Sequence, residues 1–518
     1  MYRNEKRMQL PQILSQLVTR NSHLNEPKKG SNMNNCTRRN FIKTSSLGLI
    51  AAGAMNWTGA ASAESFHDKT ARKSPDWLAK GIVYQISLRG FTEQGTLKAA
   101  QEKLESIAKL GVTAVYLCPV FVSDDDMNKD FWSSRQKASG MENPCNPYRM
   151  KDYYNVDPEY GTNQDLKDFI NAAHALGMRV MLDMVFFHCG PKAVFIESHP
   201  DFVQRDENGA VKNGKWHFPM LNYKSPELRE YLIQNMEQWV RDYKADGFRM
   251  DVGDLVPLDF WAEAHKRVEK INPEVGFINE GTNPQSLVEA FDVNYSFSFI
   301  GTLNDAFCGR KPASAYRSRC LSIASQNVQN ARFLRYIDNH DIASDKRLNR
   351  PEQQYTFDGV NAVLTLLFTQ DGVPMLYGGQ EVTDVSPQCL FGNTAQAKKA
   401  KLDTPTVCVD WSLAQTPQGQ ARTALIQRLA ALRRSNDVFT AGKIVWLEND
   451  KMDSVLAFRR ELDDKNALVV VNATKNPVKV WVNSKVSPKF APIQNGTFTD
   501  LNYELPPYGY VVRTDSEE

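Results

Sequence analysis

Charged side chains stand at the ends of several short apolar runs in this chain. Arg179-Val180-Met181-Leu182-Asp183 closes on a carboxylate, and His188 follows shortly after. Gly247-Phe248-Arg249-Met250-Asp251 carries Arg249 and Asp251 on alternate positions, which share one face of a strand. Gly276-Phe277-Ile278-Asn279 runs into Glu280, and Phe333 to Ile337 runs into Asp338-Asn339-His340-Asp341. Each residue alone has an ordinary structural reading. An Asp at a strand end commonly caps the next helix, and a lone His is commonly a satisfied core group. Buried charges are costly unless paired, so five carboxylates, two His and one Arg converging on one place favour chemistry. Paired carboxylates without a metal motif suit glycoside hydrolysis. One attacks the anomeric carbon, and a second, held protonated, donates to the leaving oxygen. An Arg beside the attacking group favours its ionised state.

Such convergence needs a scaffold that gathers strand ends. From Trp77 onward apolar runs alternate with helical patterns. Strands are expected at Gly81–Ile86, Thr113–Leu117, Arg179–Asp183, Gly247–Asp251, Gly276–Glu280, Phe333–Ile337 and Val373–Tyr377. Helices are expected at Leu97–Leu110, Gln164–Leu176, Glu227–Tyr243, Phe260–Ile271 and Val360–Phe368. This alternation implies an α/β fold, a (β/α)8 TIM barrel over residues 78–438, whose functional residues sit at the C-terminal strand ends. Two long excursions, Val120–Arg149 and an inserted loop domain at about 188–223, would wall the mouth. After a helix around Leu425–Arg434 the pattern changes to five short strands, a C-terminal antiparallel β-sandwich domain at 440–515.

The 518 residues are 42% hydrophobic and 24% charged, and Lys+Arg 62 against Asp+Glu 60 leaves +2. That balance argues against a nucleic-acid partner held by bulk charge. No apolar run reaches the roughly 18 residues of a transmembrane segment. Residues 1–63 read as an N-terminal extension and signal peptide. Thr37-Arg38-Arg39-Asn40-Phe41-Ile42-Lys43 precedes a short apolar run near Leu47–Met55, and Ala61-Ser62-Ala63 follows. The paired arginines resemble a bacterial twin-arginine export signal, which places the mature protein in the periplasm or outside the cell. Of eight cysteines, Cys389 and Cys408 flank one loop and are candidates for a disulfide, with buried thiols the equal alternative. Nothing in the sequence sets an oligomeric state.

Over roughly residues 78–515 the chain resembles the α-amylase family of retaining glycoside hydrolases. Five segments carry the resemblance, in the family's order: Asp183 to His188, Gly247 to Asp251, Asn279-Glu280-Gly281, Asp338 to Asp341, and Gly372 to Glu381. The resemblance implies that Asp251 is the nucleophile, Glu280 the general acid/base and Asp341 the group that grips the sugar hydroxyls. It implies that Arg249 supports Asp251, that His188 and His340 bind sugar, and that Tyr148 stacks on it, with Tyr153 and Tyr154 as rivals. Asp183 and Asp338 are expected to be structural supports. The implied substrate is an α-glucan or maltooligosaccharide; the same site would also serve a transglycosylase or isomerase, or a non-catalytic glucan-binding protein. Three departures stand out. Phe187 replaces an Asn that often ligates calcium, and Asp254-Leu255 replace a Lys-His pair, so no cofactor is expected and a calcium ion would lack its usual ligands. Gly281-Thr282 replace the usual aromatic after the acid. Phe218-Pro219-Met220-Leu221-Asn222 resembles a segment of the neopullulanase and cyclodextrin-degrading members.

Overall fold

The computed structural model describes residues 66–345, 349–402 and 407–515. The expected export segment, residues 1–63, lies outside them. Eight parallel strands close into a barrel: β1 (Val83–Ile86), β2 (Ala114–Leu117), β3 (Arg179–Met184), β4 (Gly247–Met250), β5 (Gly276–Asn279), β6 (Val293–Tyr295), β7 (Phe333–Arg335) and β8 (Val373–Tyr377). Strands adjacent in chain order pair, and β8 returns to β1 with Met375 opposite Val83.

The pleat sorts side chains between two layers. Val83, Tyr116, Met181, Ile278, Leu334 and Met375 point inward and fill the barrel. Tyr84, Leu117, Leu182, Phe248, Met250 and Phe277 point outward and pack under the helices. Arg249, between Phe248 and Met250, therefore faces the interior, as does Asp183 between Leu182 and Met184. The helices that cover the strands carry their own stop and start signals. Asn163–Ala175 opens with a Thr162/Asp165 capping box. Pro226–Tyr243 has Ser225 as its N-cap and Pro226 in its first turn.

The helix expected over Leu97–Leu110 divides into Leu97–Gln101 and Leu104–Lys109. The Lys103 N–H bonds to the Ala100 carbonyl there, a tighter turn than an α-helix makes. The sixth strand escapes the sequence pattern because it is only Val293-Asn294-Tyr295. The excursion after β2 forms a two-stranded ribbon, Phe121–Ser123 against Met150–Val156, with a short helix at Ser134–Ala138 between them. The excursion after β3 holds no regular strand. It folds back on itself through single bridges, His188 with Met220, Val203 with Leu221 and Asn213 with Pro219.

Beyond Lys443 eight strands form two antiparallel sheets, one of five strands and one of three. Phe490–Asn495, Thr497–Thr499 and Asn502–Leu505 add to the five expected. Val470 and Val511 of the larger sheet share a core with Val480 and Leu505 of the smaller. The opposite face of the larger sheet, with Phe458 and Val469, joins the core under the barrel helices. Among the described residues no disulfide forms, so Cys389 and Cys408 do not pair. No described helix is long and apolar enough to cross a membrane.

Candidate active site

Arg249 is the hub of the C-terminal barrel mouth. Its Nη1 donates to Asp183 Oδ1 at 2.7 Å and to Asp251 Oδ1 at 3.0 Å. Its Nη2 lies 2.7 Å from Glu280 Oε2, an ion pair without hydrogen-bond alignment. The rings of Tyr116, Tyr148 and Tyr295 surround the guanidinium, with centroids within 6.0 Å. The β3 and β4 pairing continues one step past the strands, where the Asp251 N–H bonds to the Met184 carbonyl. The Glu280 N–H bonds to the Met250 carbonyl in the same way. Both carboxylates are thus set by extended backbone beside one guanidinium.

A second chain of hydrogen bonds fixes protonation. Gln85 Nε2 donates to His340 Nδ1 at 2.8 Å, because Gln85 Oε1 already accepts from the His340 N–H. His340 Nε2 must then carry the hydrogen and donate to Tyr148 Oη at 2.9 Å. Tyr148 Oη and Tyr116 Oη both donate to Asp183 Oδ2, at 2.9 and 2.7 Å. Asp183 accepts from three groups and anchors the others rather than facing outward. Burial keeps His340 below its ordinary pKa, consistent with a neutral ring. His188 is neutral by the same cause, pushed down to about 4, and its Nε2 donates to the Tyr148 carbonyl at 2.8 Å. Tyr148 stacks on His340 with centroids 5.4 Å apart. Of its rivals, Tyr153 is buried and bonds to the His188 carbonyl, while Tyr154 bonds to the Tyr231 carbonyl. Only Tyr148 of the three touches Asp183 and His340.

Burial raises Glu280 to about 7, with Arg249 opposing and Asp341 adding to the rise. Burial, then the charge of Glu280, pushes Asp251 upward as well, against the pull of Arg249. Repulsion between the two carboxylates disfavours ionising both at once. Asp338 lies apart, ion-paired to Arg350 at 2.7 Å and capped by the Asn339 N–H. Asp341 is half-exposed, and Arg135 Nη1 donates to its Oδ1 at 2.5 Å.

Several participants carry no sequence signal. Val252, a β-branched residue, adopts φ 41° and ψ 46°, a strained left-handed conformation. That turn sends its N–H to Glu280 Oε2 at 2.8 Å. Asp254 accepts from the Thr282 and Asn283 N–H groups and from Asn279 Nδ2, and so pins the loop after Glu280. A Cβ on Gly281 would fall 2.2 Å from Asp254 Oδ1, which explains the missing aromatic. Trp216 packs edge-on against Phe187 and lies beside His188.

These contacts also test the calcium the fold family would supply. The Phe187 ring offers no oxygen, His188 Nε2 is committed to a carbonyl, Leu255 is exposed and apolar, and both Asp254 oxygens are taken. Among the described residues no three His, Cys, Asp or Glu side chains gather as a metal site. The usual donor set does not fit calcium.

A model of the alpha amylase catalytic domain matches residues 62–210 and 211–468. A cyclomaltodextrinase of Thermoanaerobacter pseudethanolicus is 23% identical over 465 residues, 79% of this chain and 73% of that protein. A cyclomaltodextrinase of a Bacillus species is 26% identical over 415 residues, 74% of this chain and 66% of that protein. Among solved structures, an alpha-amylase from Lactobacillus plantarum superposes with a TM-score of 0.69 at 24% identity, covering 85% of this chain and 99% of that one.

Proposed function

From the premise that the chain belongs to the α-amylase family and is a glycoside hydrolase of it, we propose that it cleaves α-glucosidic bonds in maltooligosaccharides or cyclodextrins, with retention at the anomeric carbon. The observation that carries this reading is the single guanidinium of Arg249 touching both Asp251 and Glu280. Retaining enzymes hold their two carboxyls about 5–5.5 Å apart, inverting ones about 6.5–9.5 Å. One guanidinium in contact with both groups sets the two carboxyls side by side, as a double displacement needs. The named substrates of the relatives, cyclomaltodextrins, support the substrate class.

In the first step an Asp251 oxygen bonds to the anomeric carbon as the glycosidic C–O bond breaks. The Glu280 proton passes to the leaving oxygen. In the second step Glu280, now a carboxylate, takes a proton from water while that water's oxygen bonds to the anomeric carbon and frees Asp251. Arg249 steadies the negative charge that moves between the two. His340 holds Tyr148 in place, neutral His188 keeps its Nδ1 as an acceptor, the Tyr148 ring offers a stacking face to the sugar, and Asp341 accepts from its hydroxyls. Proton NMR should show the reducing end newly formed from maltotriose appearing first as the α-anomer. The β-anomer would exclude a covalent intermediate on Asp251.

None of these steps uses a metal. A chelator should leave kcat and Tm unchanged. Loss of a ligand present at a hundredfold its Kd would cost about 2.7 kcal/mol and show plainly in a melting curve. A drop reversed by calcium would reveal ligands supplied elsewhere. Export is part of the proposal on the strength of Arg38-Arg39 and Ala61-Ser62-Ala63. Lys at both 38 and 39 should hold the precursor in the cytoplasm, and unchanged export would remove the twin-arginine route.

A further inference from the structure

Arg135 belongs to none of the motifs above, yet it makes the closest polar contact of Asp341. It sits on the short helix Ser134–Ala138 of the excursion after β2, and the contact spans 206 positions in sequence. Nη1 donates to Asp341 Oδ1 at 2.5 Å, and Nη2 donates to the Asp341 carbonyl at 3.1 Å and to Ser344 Oγ at 2.6 Å. One guanidinium therefore grips the side chain, the backbone and the following turn of the segment that carries Asp341. The helix is itself held rigidly. Ser133 caps it, and the side chain of buried Gln136 donates to the Asn143 and Pro144 carbonyls and accepts from Asn146 Nδ2. The Arg135 guanidinium also lies over the Phe391 ring at 6.0 Å.

Asp341 needs such help. It is 37% exposed, where a lone carboxylate samples several rotamers. Burial alone would raise its carboxyl, but the Arg135 charge and hydrogen bond, with Arg249 behind them, hold it below the usual carboxylate range. His340, kept neutral by its own network, adds no charge of its own, so Arg135 is the cation in contact with Asp341. Contact through Oδ1 leaves Oδ2 for a sugar hydroxyl.

We propose that Arg135 is a positioning residue for the hydrolysis, fixing Asp341 in the rotamer that meets the sugar at the cleavage subsite. The proposal rests on the reading above, in which Asp341 works at that subsite. The test compares Arg135→Gln, Arg135→Lys, Asp341→Asn and the double variant Arg135→Gln/Asp341→Asn. Single-turnover rates on maltosyl fluoride at high enzyme concentration keep slow variants measurable, and steady-state kinetics on maltotriose separate kcat from KM. Misplacing a reacting group by about 1 Å costs roughly 100-fold, so Arg135→Gln should lose about that in kcat/KM, mainly in kcat. Lys at 135, which keeps the charge, should recover part of the loss. Once Asp341 is Asn, removing Arg135 should change the rate by no more than about a factor of 2. An equal loss from Arg135→Gln in both backgrounds, or no loss in the native one, would overturn the proposal. Near-native activity of Asp341→Asn would instead sink the functional reading on which it rests.

Discussion

Replacing Asp251 with Asn should lower turnover on every α-glucan by at least on the order of 10⁴-fold, because the proposed nucleophile is gone. The fold should survive the change. Arg249 keeps Asp183 at 2.7 Å and Glu280 at 2.7 Å, and Asn matches Asp in volume. Stability should hold or rise. Burial and Glu280 push the Asp251 carboxyl up, so its charged form is disfavoured in the folded protein. An uncharged Asn relieves that repulsion, in the common pattern of an active site that trades stability for function. The measurements are kcat on maltotriose and a melting curve. Activity within tenfold of native would remove Asp251 as nucleophile.

Glu280→Gln separates the two steps. On natural glucans it should cost about 10²–10⁴-fold, the usual worth of a positioned general acid. On maltosyl fluoride, whose leaving group needs little protonation, formation of the intermediate should be nearly unimpaired, and the intermediate should accumulate because no base activates water. The native enzyme should also lose kcat/KM as pH rises past neutrality. Glu280 is held up to about 7, and the protonated form is the one that donates. With Gln at 280 that alkaline fall should vanish for the first step on the fluoride. An unchanged alkaline limb would assign the titration to another group.

Much of this site was legible because barrel strands advertise their ends. Asp183, Arg249, Asp251 and Glu280 stand where apolar runs stop, and alternation alone puts Arg249 and Asp251 on one face. The eighth strand, Val373–Tyr377, was equally plain from five apolar residues after Gly372. What stayed hidden has no local signal. Arg135 reaches Asp341 across 206 positions from a loop helix of five residues. Gln85 and Tyr116 read as ordinary strand residues, and only the closed barrel brings them to His340 and Asp183. The left-handed turn at Val252 contradicts the preference of a β-branched residue, so sequence would place it elsewhere. The strand Phe490–Asn495 contains Pro492, which reads as a breaker. It is tolerated because the strand lies at a sheet edge with a register irregularity between Phe490 and Ile493. Asp254, a departure from the family pattern in sequence, is the clamp on the loop behind Glu280.

One experiment reaches the division of labour among the carboxylates directly. Glu280→Gln is incubated with maltosyl fluoride, its intact mass is recorded, and the labelled peptide is sequenced by tandem mass spectrometry. The expected result is a gain of one maltosyl group, carried by Asp251. A label on Asp341 or Asp338, or turnover of the fluoride without any covalent species in a protein whose Asp251→Asn variant is also active, would contradict it.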